Sequence, residues 1–143
     1  MTPEALRVWI KAFVTQMETS YRNPYQYSFS TGDSGLSYGA MQNDVAVNTD
    51  ARISFNNILL QTKNRTGLTD DQIASIVDRA RHGGKKNDFA QSELDAIDSA
   101  FQNAKGLVDA RDEAQLNVVV GYVNQVINSA AANPNGSGHQ ISI

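Results

Sequence analysis

A change in hydrophobic periodicity near the start of the chain most constrains its fold. Before residue 20 and after residue 49, apolar residues recur every three or four positions, which is typical of helices that bury one face. Between them, Tyr25–Phe29 and Leu36–Met41 alternate large apolar and polar residues around the turn-forming stretch Thr31–Gly35. The sequence therefore predicts a mainly α, α+β fold of about five helices with a small β-hairpin after the first helix.

Capping signals locate two of the predicted helices. Thr2 and Pro3 suit the cap and the first position of the opening helix. We expect this helix to end near Glu18–Arg22, because the following Asn23 precedes a proline and is therefore biased away from helix. Further along, Thr69–Gln72 matches a capping box and predicts the start of another helix.

Apolar spacing predicts three more helices. They cover Asp50–Gln61 with Thr49 as the candidate cap, Ser92–Ala104, and roughly Val108–Ala131. Within the last of these, the β-branched run Val118–Val120 makes a strand the competing prediction. We expect one domain over residues 1–132 and a flexible tail over residues 133–143, which carry no core-building pattern.

Composition narrows the classes of function. A chain of 143 residues can bury a core without disulfides, and the absence of cysteine excludes thiol catalysis, zinc–thiolate sites and iron–sulfur clusters. The net charge of −3 argues against a nucleic-acid partner, because proteins that bind phosphates are usually basic. We expect no cofactor and no metal. Asp109, Asp112 and Glu113 suit a helix start, and His82 and His139 lack zinc-site spacing.

Two further features concern surfaces and membranes. A basic cluster around Gly83-Gly84 is interpreted as a solvated face, with attraction to an anionic polymer, membrane surface or nucleic acid as the alternative. Its members are Arg79, Arg81, His82, Lys85 and Lys86. Residues 1–17 are amphipathic rather than continuously apolar, and no stretch reaches the ~18 apolar residues of a membrane span. We therefore expect no signal peptide and no membrane span.

The segment from Glu18 to Asp44 carries the most chemical information. Within it, residues 38–42 read Tyr-Gly-Ala-Met-Gln and follow a glutamate at a predicted helix end. This stretch is similar to the Tyr/Phe-Gly-Leu-Met-Gln stretch of goose-type lysozymes and soluble lytic transglycosylases. Residues 37–44 also resemble the Ser-Tyr-Gly-x-x-Gln-x-Asp pattern of small cell-wall hydrolase domains in bacterial toxins. Over about residues 13–44 the chain thus resembles the lysozyme-like superfamily.

The resemblance implies a glycosidase that cleaves the N-acetylmuramic acid–N-acetylglucosamine β-1,4 bond of peptidoglycan. Such a reaction needs a general acid, and Glu18 near Phe13, Met17 and Tyr21 has apolar neighbours that would keep it protonated. The alternative for Glu18 is an exposed helix-end carboxylate.

A second carboxylate is less well defined by the sequence. Asp33 follows Glu18 by fifteen positions, a longer spacing than the resemblance to phage-type lysozymes implies, and Asp33 also suits a turn. Asp44 is the other candidate for holding the attacking water, with capping of the next helix as its alternative. A single essential glutamate, as in goose-type lysozymes and lytic transglycosylases, is compatible with the motif.

Four residues of the motif are candidates for binding the glycan. Ser37, Tyr38 and Gln42 offer hydroxyl and amide groups, and Gly39 would leave room for the substrate. The alternatives are a half-buried strand position for Tyr38, a backbone hydrogen bond for Gln42 and a simple bend at Gly39.

These features suggest a biological setting as well. We expect a monomeric phage lysin or secreted antibacterial toxin that reaches the periplasm or cell wall by export or phage-mediated release. A toxin would have an immunity protein as inhibitor. Lytic transglycosylase activity on the same bond is the alternative reaction, and a non-enzymatic helical interaction module is the alternative class.

Overall fold

The computed structural model describes residues 2–19, 23–29 and 35–132, with the backbone alone for residues 13–19 and 130–132. Its six helices are α1 (Pro3–Thr19), α2 (Thr49–Gln61), α3 (Lys63–Thr66), α4 (Asp70–Arg81), α5 (Gln91–Asn103) and α6 (Lys105–Ala132). Three strands, β1 (Ser28–Phe29), β2 (Leu36–Tyr38) and β3 (Asn43–Asp44), form one antiparallel sheet, and a 3-10 turn covers Lys86–Asp88. The predicted mainly α, α+β fold class is confirmed.

The sheet extends the predicted hairpin by one strand. β2 lies in the middle, where Ser37 is paired with Ser28 on one side and with Asp44 on the other. The chain reverses direction through residues 39–42 between β2 and β3. β3 was not predicted because two residues are too few to show a period of two. Asp33 and residues 133–143 lie outside the described part of the chain.

Two predicted caps are confirmed. The Thr2 hydroxyl accepts a hydrogen bond from the backbone N–H of Ala5 at 3.1 Å. Thr69 and Gln72 form the expected capping box, in which each side chain accepts from the other residue's backbone N–H. The N-terminal ends of these two helices could be predicted, because a cap involves residues only three positions apart along the chain.

The cap of α2 differs from the prediction. The side-chain oxygen of Asn48 accepts from the backbone N–H of Ala51 at 3.1 Å, so Asn48 is the cap and Thr49 is the first helical residue. Asparagine and threonine are both good caps, and the sequence offered them side by side. Local pattern alone did not decide between them.

The competing strand prediction for Val118–Val120 is wrong, since these residues continue α6. Val119 and Val120 pack on a small buried cluster formed by Leu6 and Ile10 of α1 and Leu116 of α6. Packing against another helix outweighs the modest β preference of valine, because helical stability in proteins comes mainly from burying an apolar face.

The main core is formed by the sheet and by α2, α4 and α5. Its centre is aromatic: the rings of Tyr38 and Phe101 stack with centroids 5.0 Å apart, and Phe55 lies 6.0 Å from each of them. All three side chains are fully buried. The core surrounds β2, whose residues 36–38 are buried throughout, and this fixes the position of the turn that follows.

α1 runs antiparallel to the start of α6. Arg7 contacts Asn117 and Glu113, whereas Lys11, one turn later in α1, has its Nζ 3.7 Å from an oxygen of Glu113. The end of α1 therefore points toward the first turns of α6. No helix among the described residues is long and apolar enough to cross a bilayer.

Candidate functional site

A groove of about 570 Å³ lies between α1, the turn over residues 39–42 and the first half of α6. Lys11 contributes from α1, Met41 from the turn, and Asp109, Asp112 and Glu113 from α6. Much of its remaining surface is apolar. This volume falls within the range of small-ligand sites, which are usually apolar clefts with a few polar groups.

Asp112 is the residue that ties the turn to α6. One carboxylate oxygen accepts from the backbone N–H of Ala40 at 2.9 Å. The other oxygen accepts from the backbone N–H of Met41 at 3.1 Å and from the side-chain amide of Asn43 at 2.8 Å. Burial raises the pKa of Asp112 above 3.8, against the effect of these hydrogen bonds. A carboxylate is thus kept at the groove where desolvation disfavours its charge.

The sequence pattern alone indicates for Asp112 no more than an acid near a helix start. The partners of its side chain lie about 70 positions earlier in the chain, at separations of 72, 71 and 69 residues. Such a contact leaves no local spacing to recognise. Gly39 is the one residue of the turn whose type could have indicated this contact, since a glycine lets another side chain approach the backbone closely.

Gly39 has a φ of +79°, a left-handed conformation that favours glycine. A Cβ at this position would lie 2.5 Å from an oxygen of Asp112 and 2.8 Å from the amide nitrogen of Asn43. The glycine is therefore needed for the approach of these two side chains. This internal role explains the glycine, and the expectation that Gly39 leaves room for a glycan stays a prediction.

Gln42 also adopts a left-handed backbone, with a φ of +50°. Its amide nitrogen donates to the carbonyl of Gly39 at 3.2 Å, and its amide oxygen accepts from the Ser28 hydroxyl at 3.0 Å. These bonds hold the turn and link it to β1. The alternative interpretation of Gln42 as a partner of the backbone matches this geometry.

Tyr38 and Ser37 lie inside the sheet rather than on the groove wall. The Tyr38 ring has no exposed surface, and its hydroxyl donates to the carbonyl of Ala51 at 2.7 Å. Burial raises the pKa of Tyr38 to about 12. Ser37, on the middle strand, is only 5% exposed. Neither side chain lines the groove, and their burial gives both a structural role in the sheet; a contact with substrate stays a prediction from the sequence.

Asp44 does not line the groove. One of its oxygens accepts from the backbone N–H groups of Ala46 at 3.0 Å and Val47 at 3.2 Å. It therefore closes the turn that leads from β3 toward α2, and Asn48 rather than Asp44 caps that helix. The proposed role of Asp44 in holding water has no groove contact to support it.

Glu18 lies in the last turn of α1, where the sequence predicted it. Only its backbone is described. Since α1 runs antiparallel to α6 and Lys11 already lines the groove, α1 carries Glu18 toward the end of α6 that bears Gly106 and Asp109, both of which line the groove. The second predicted acid, Asp33, lies outside the described residues.

The segment before β1 is fixed against α5 and α6. The Tyr25 hydroxyl donates to Asp109 at 2.9 Å, and this hydrogen bond is the main cause of the raised pKa of Tyr25. The Gln102 amide donates to the carbonyl of Tyr25 at 3.0 Å, and Asp98 accepts from the backbone N–H of Tyr27 at 2.9 Å. Residues 23–29 therefore present a defined wall to the groove, to which Pro24 contributes.

The basic cluster is partly structural. Arg79 binds Glu93 through both guanidinium nitrogens and lies 5.0 Å from the centre of the Phe89 ring. The hydrogen bond from Arg79 lowers the pKa of Glu93 below 4.5. Arg79 thus joins α4 to α5, whereas Arg81, Lys85 and the other members are largely exposed.

Within the described ranges, no group of three or more acidic, histidine or cysteine side chains is placed to hold a metal ion. No protein-family model, curated protein or solved structure matches this chain.

Proposed function

We propose that this protein is a glycosidase that cleaves the N-acetylmuramic acid–N-acetylglucosamine β-1,4 bond of peptidoglycan. The main support is the placement of the lysozyme-like motif. Ala40 and Met41, in the turn that resembles goose-type lysozymes, line a groove that also receives α1 and three carboxylates from α6.

In this proposal Glu18 is the general acid. It donates a proton to the leaving glycosidic oxygen while positive charge develops on the sugar ring. The carboxylate of Asp109 at the groove favours an oxocarbenium-like transition state, whereas Glu113 is paired with Arg7 and Lys11 of α1. Water then completes hydrolysis, or the muramic acid hydroxyl attacks in a transglycosylase, and Asp33 stays the candidate second acid.

The proposed setting is the bacterial periplasm or cell wall, reached by export or by phage-mediated release. The proposed partner is a peptidoglycan glycan strand bound along the groove by a single copy of the chain. In a toxin system, an immunity protein would block the same groove.

The decisive experiment digests purified peptidoglycan with wild type and with Glu18→Gln, followed by mass analysis of the products. We expect wild type to release muropeptides and Glu18→Gln to be at least about 100-fold slower, because a glutamine cannot donate the proton. Glu4→Gln is the matched control, since Glu4 lies exposed in the first turn of the same helix.

The products separate the alternatives. Reducing ends indicate a muramidase, and anhydro ends indicate a lytic transglycosylase. Equal rates for Glu18→Gln and wild type would contradict the role of Glu18. No products from wild type would overturn the enzyme proposal and favour the non-enzymatic module.

A further inference from the structure

We propose that Asp112 is a positioning residue: it holds the turn over residues 39–43 against α6 and thereby sets the width of the groove. This inference rests on the proposed glycosidase function, because it assigns Asp112 to the same site. It concerns a residue outside the motif that resembles lysozymes.

The hydrogen bonding of Asp112 supports positioning rather than proton transfer. Both carboxylate oxygens are occupied by donors from the turn region, which are the backbone N–H groups of Ala40 and Met41 and the side chain of Asn43. Ala40 and Met41 are also the residues of the turn that line the groove. The distance between the turn and α6 is therefore set by the length of these bonds.

Asn43 reinforces the same connection. Its amide nitrogen donates both to Asp112 and to the carbonyl of Tyr38 at 3.0 Å, and its amide oxygen accepts from Arg111 at 3.3 Å. Asn43 is itself only 2% exposed. Arg111 and Asp112, which are neighbours in α6, thus both hydrogen-bond the buried side-chain amide of Asn43 at the end of the turn.

The chemistry of the contact requires an acceptor with no donor. Every partner of Asp112 donates, and an ionised carboxylate is acceptor-only, whereas an asparagine would direct an NH₂ group at one of these donors. Gly39 supplies the matching space, since any side chain there would collide with Asp112. The donors of the turn region therefore favour a carboxylate over an amide at position 112, and Gly39 leaves the space that this carboxylate occupies.

The electrostatic surroundings of Asp112 disfavour the charged form of its carboxyl group. Burial raises the pKa of Asp112, and Asp109 on the same helix raises it further. Among the described side chains, Glu113 of α6 and Lys11 of α1 also line the groove, and Tyr25 donates to Asp109 beside it. A half-buried acid whose charge is disfavoured is typical of functional sites, where position is kept at some cost in stability.

The test compares Asp112→Asn with the control Asp88→Asn. Asp88 also accepts from a backbone N–H, that of Lys85 at 2.7 Å, but it is exposed and lies away from the groove. Kinetics on soluble peptidoglycan fragments give kcat and KM, and NMR amide exchange reports on the N–H groups of Ala40 and Met41. Both are measured well below the melting temperature of each variant.

We expect Asp112→Asn to lower kcat/KM at least about tenfold, with a raised KM, because the groove wall moves away from the bound sugar. Amide exchange at Ala40 and Met41 should accelerate in the same variant. Asp88→Asn should change neither. A purely structural role would lower the melting temperature without raising KM measured well below that temperature, and that result would overturn the proposal.

Two further outcomes are informative. If Asp112→Asn does not fold, Asp112→Glu keeps the ionised acceptor and lengthens it by one methylene, so its KM should be higher than that of wild type. A KM for Asp112→Glu equal to that of wild type would contradict the proposal. If wild type has no activity, the glycosidase function fails, while faster exchange at Ala40 and Met41 still tests whether Asp112 holds the turn.

Discussion

The body of the molecule and its groove side are built on different principles. We use body for α2–α5 with the main core, and groove side for α1, the 39–42 turn and α6. In the body, Tyr38, Phe55 and Phe101 are fully buried, and Arg79 stabilises the charge of Glu93. Among the side chains that the structure describes, the groove side has a separate buried cluster of Leu6, Ile10 and Leu116.

The groove side also holds the features that cost free energy. It contains a carboxylate whose charge is disfavoured, Asp112, and the left-handed backbones of Gly39 and Gln42. A left-handed conformation costs a non-glycine residue about 1 kcal/mol or more, and Gln42 bears that cost. Among the described residues, the strained backbone of Gln42 and the desolvated carboxylate of Asp112 thus lie on the side of the molecule where a ligand would bind.

The largest predicted effect is a difference in the free energy of unfolding between substitutions in the two hydrophobic clusters. Phe101→Ala should lower the free energy of unfolding by about 3–5 kcal/mol, because it opens a cavity in the main core. Leu116→Ala should cost about 2 kcal/mol, because its smaller cluster can relax. Urea denaturation followed by circular dichroism measures both values.

The single tryptophan makes this comparison sharper. Trp9 lies in α1, so its fluorescence reports on the groove side. In Leu116→Ala the fluorescence transition should precede the circular dichroism transition, whereas in Phe101→Ala the two should coincide. Coincident transitions in both variants would show that the two regions unfold as one unit.

An intermediate effect is expected from two glycines with the same backbone conformation. Gly39 and Gly67 have φ values of +79° and +77°, but a Cβ on Gly67 meets nothing within 4 Å. Gly67→Ala should therefore cost about 1 kcal/mol of backbone strain. Gly39→Ala should cost at least about 1 kcal/mol more, because it displaces Asp112. Equal melting temperatures for the two variants would contradict the tight contact at the turn.

The smallest effect is a difference in pH dependence. The lowered pKa of Glu93 contributes stability above pH 4.5, and this contribution is lost as the pH falls through the folded-state pKa. The raised pKa of Asp112 has the opposite sign: its contribution is present below pH 3.8 and is lost as the pH rises through its folded-state pKa. The two carboxylates therefore affect stability in opposite directions over the acidic range.

Melting temperatures from about pH 3 to about pH 7 check this for Glu93→Gln and Asp112→Asn. Relative to wild type, Glu93→Gln should become less stable as the pH rises. Asp112→Asn should instead become more stable relative to wild type as the pH rises over the same range. If the melting temperatures of the two variants changed with pH in the same way, Glu93 and Asp112 would not affect stability in opposite directions, and this prediction would be contradicted.

The sequence by itself determined the features that depend on near neighbours. Thr2 and the Thr69–Gln72 pair were identified as caps because a cap involves residues three positions apart. The helical class, the sheet segment after α1 and the position of Glu18 at a helix end followed from periodicity. The short helix α3 was missed, because four residues carry no recognisable pattern.

Only the tertiary structure decided what each motif residue does. Tyr38 was predicted to face a ligand, yet it belongs to the core, because the β2 residues around it are buried from both sides. Asp112 was predicted to serve the start of its own helix, yet it holds a turn more than 60 positions away. Hydrogen bonds and burial of this kind depend on distances in space, which local spacing along the chain does not encode.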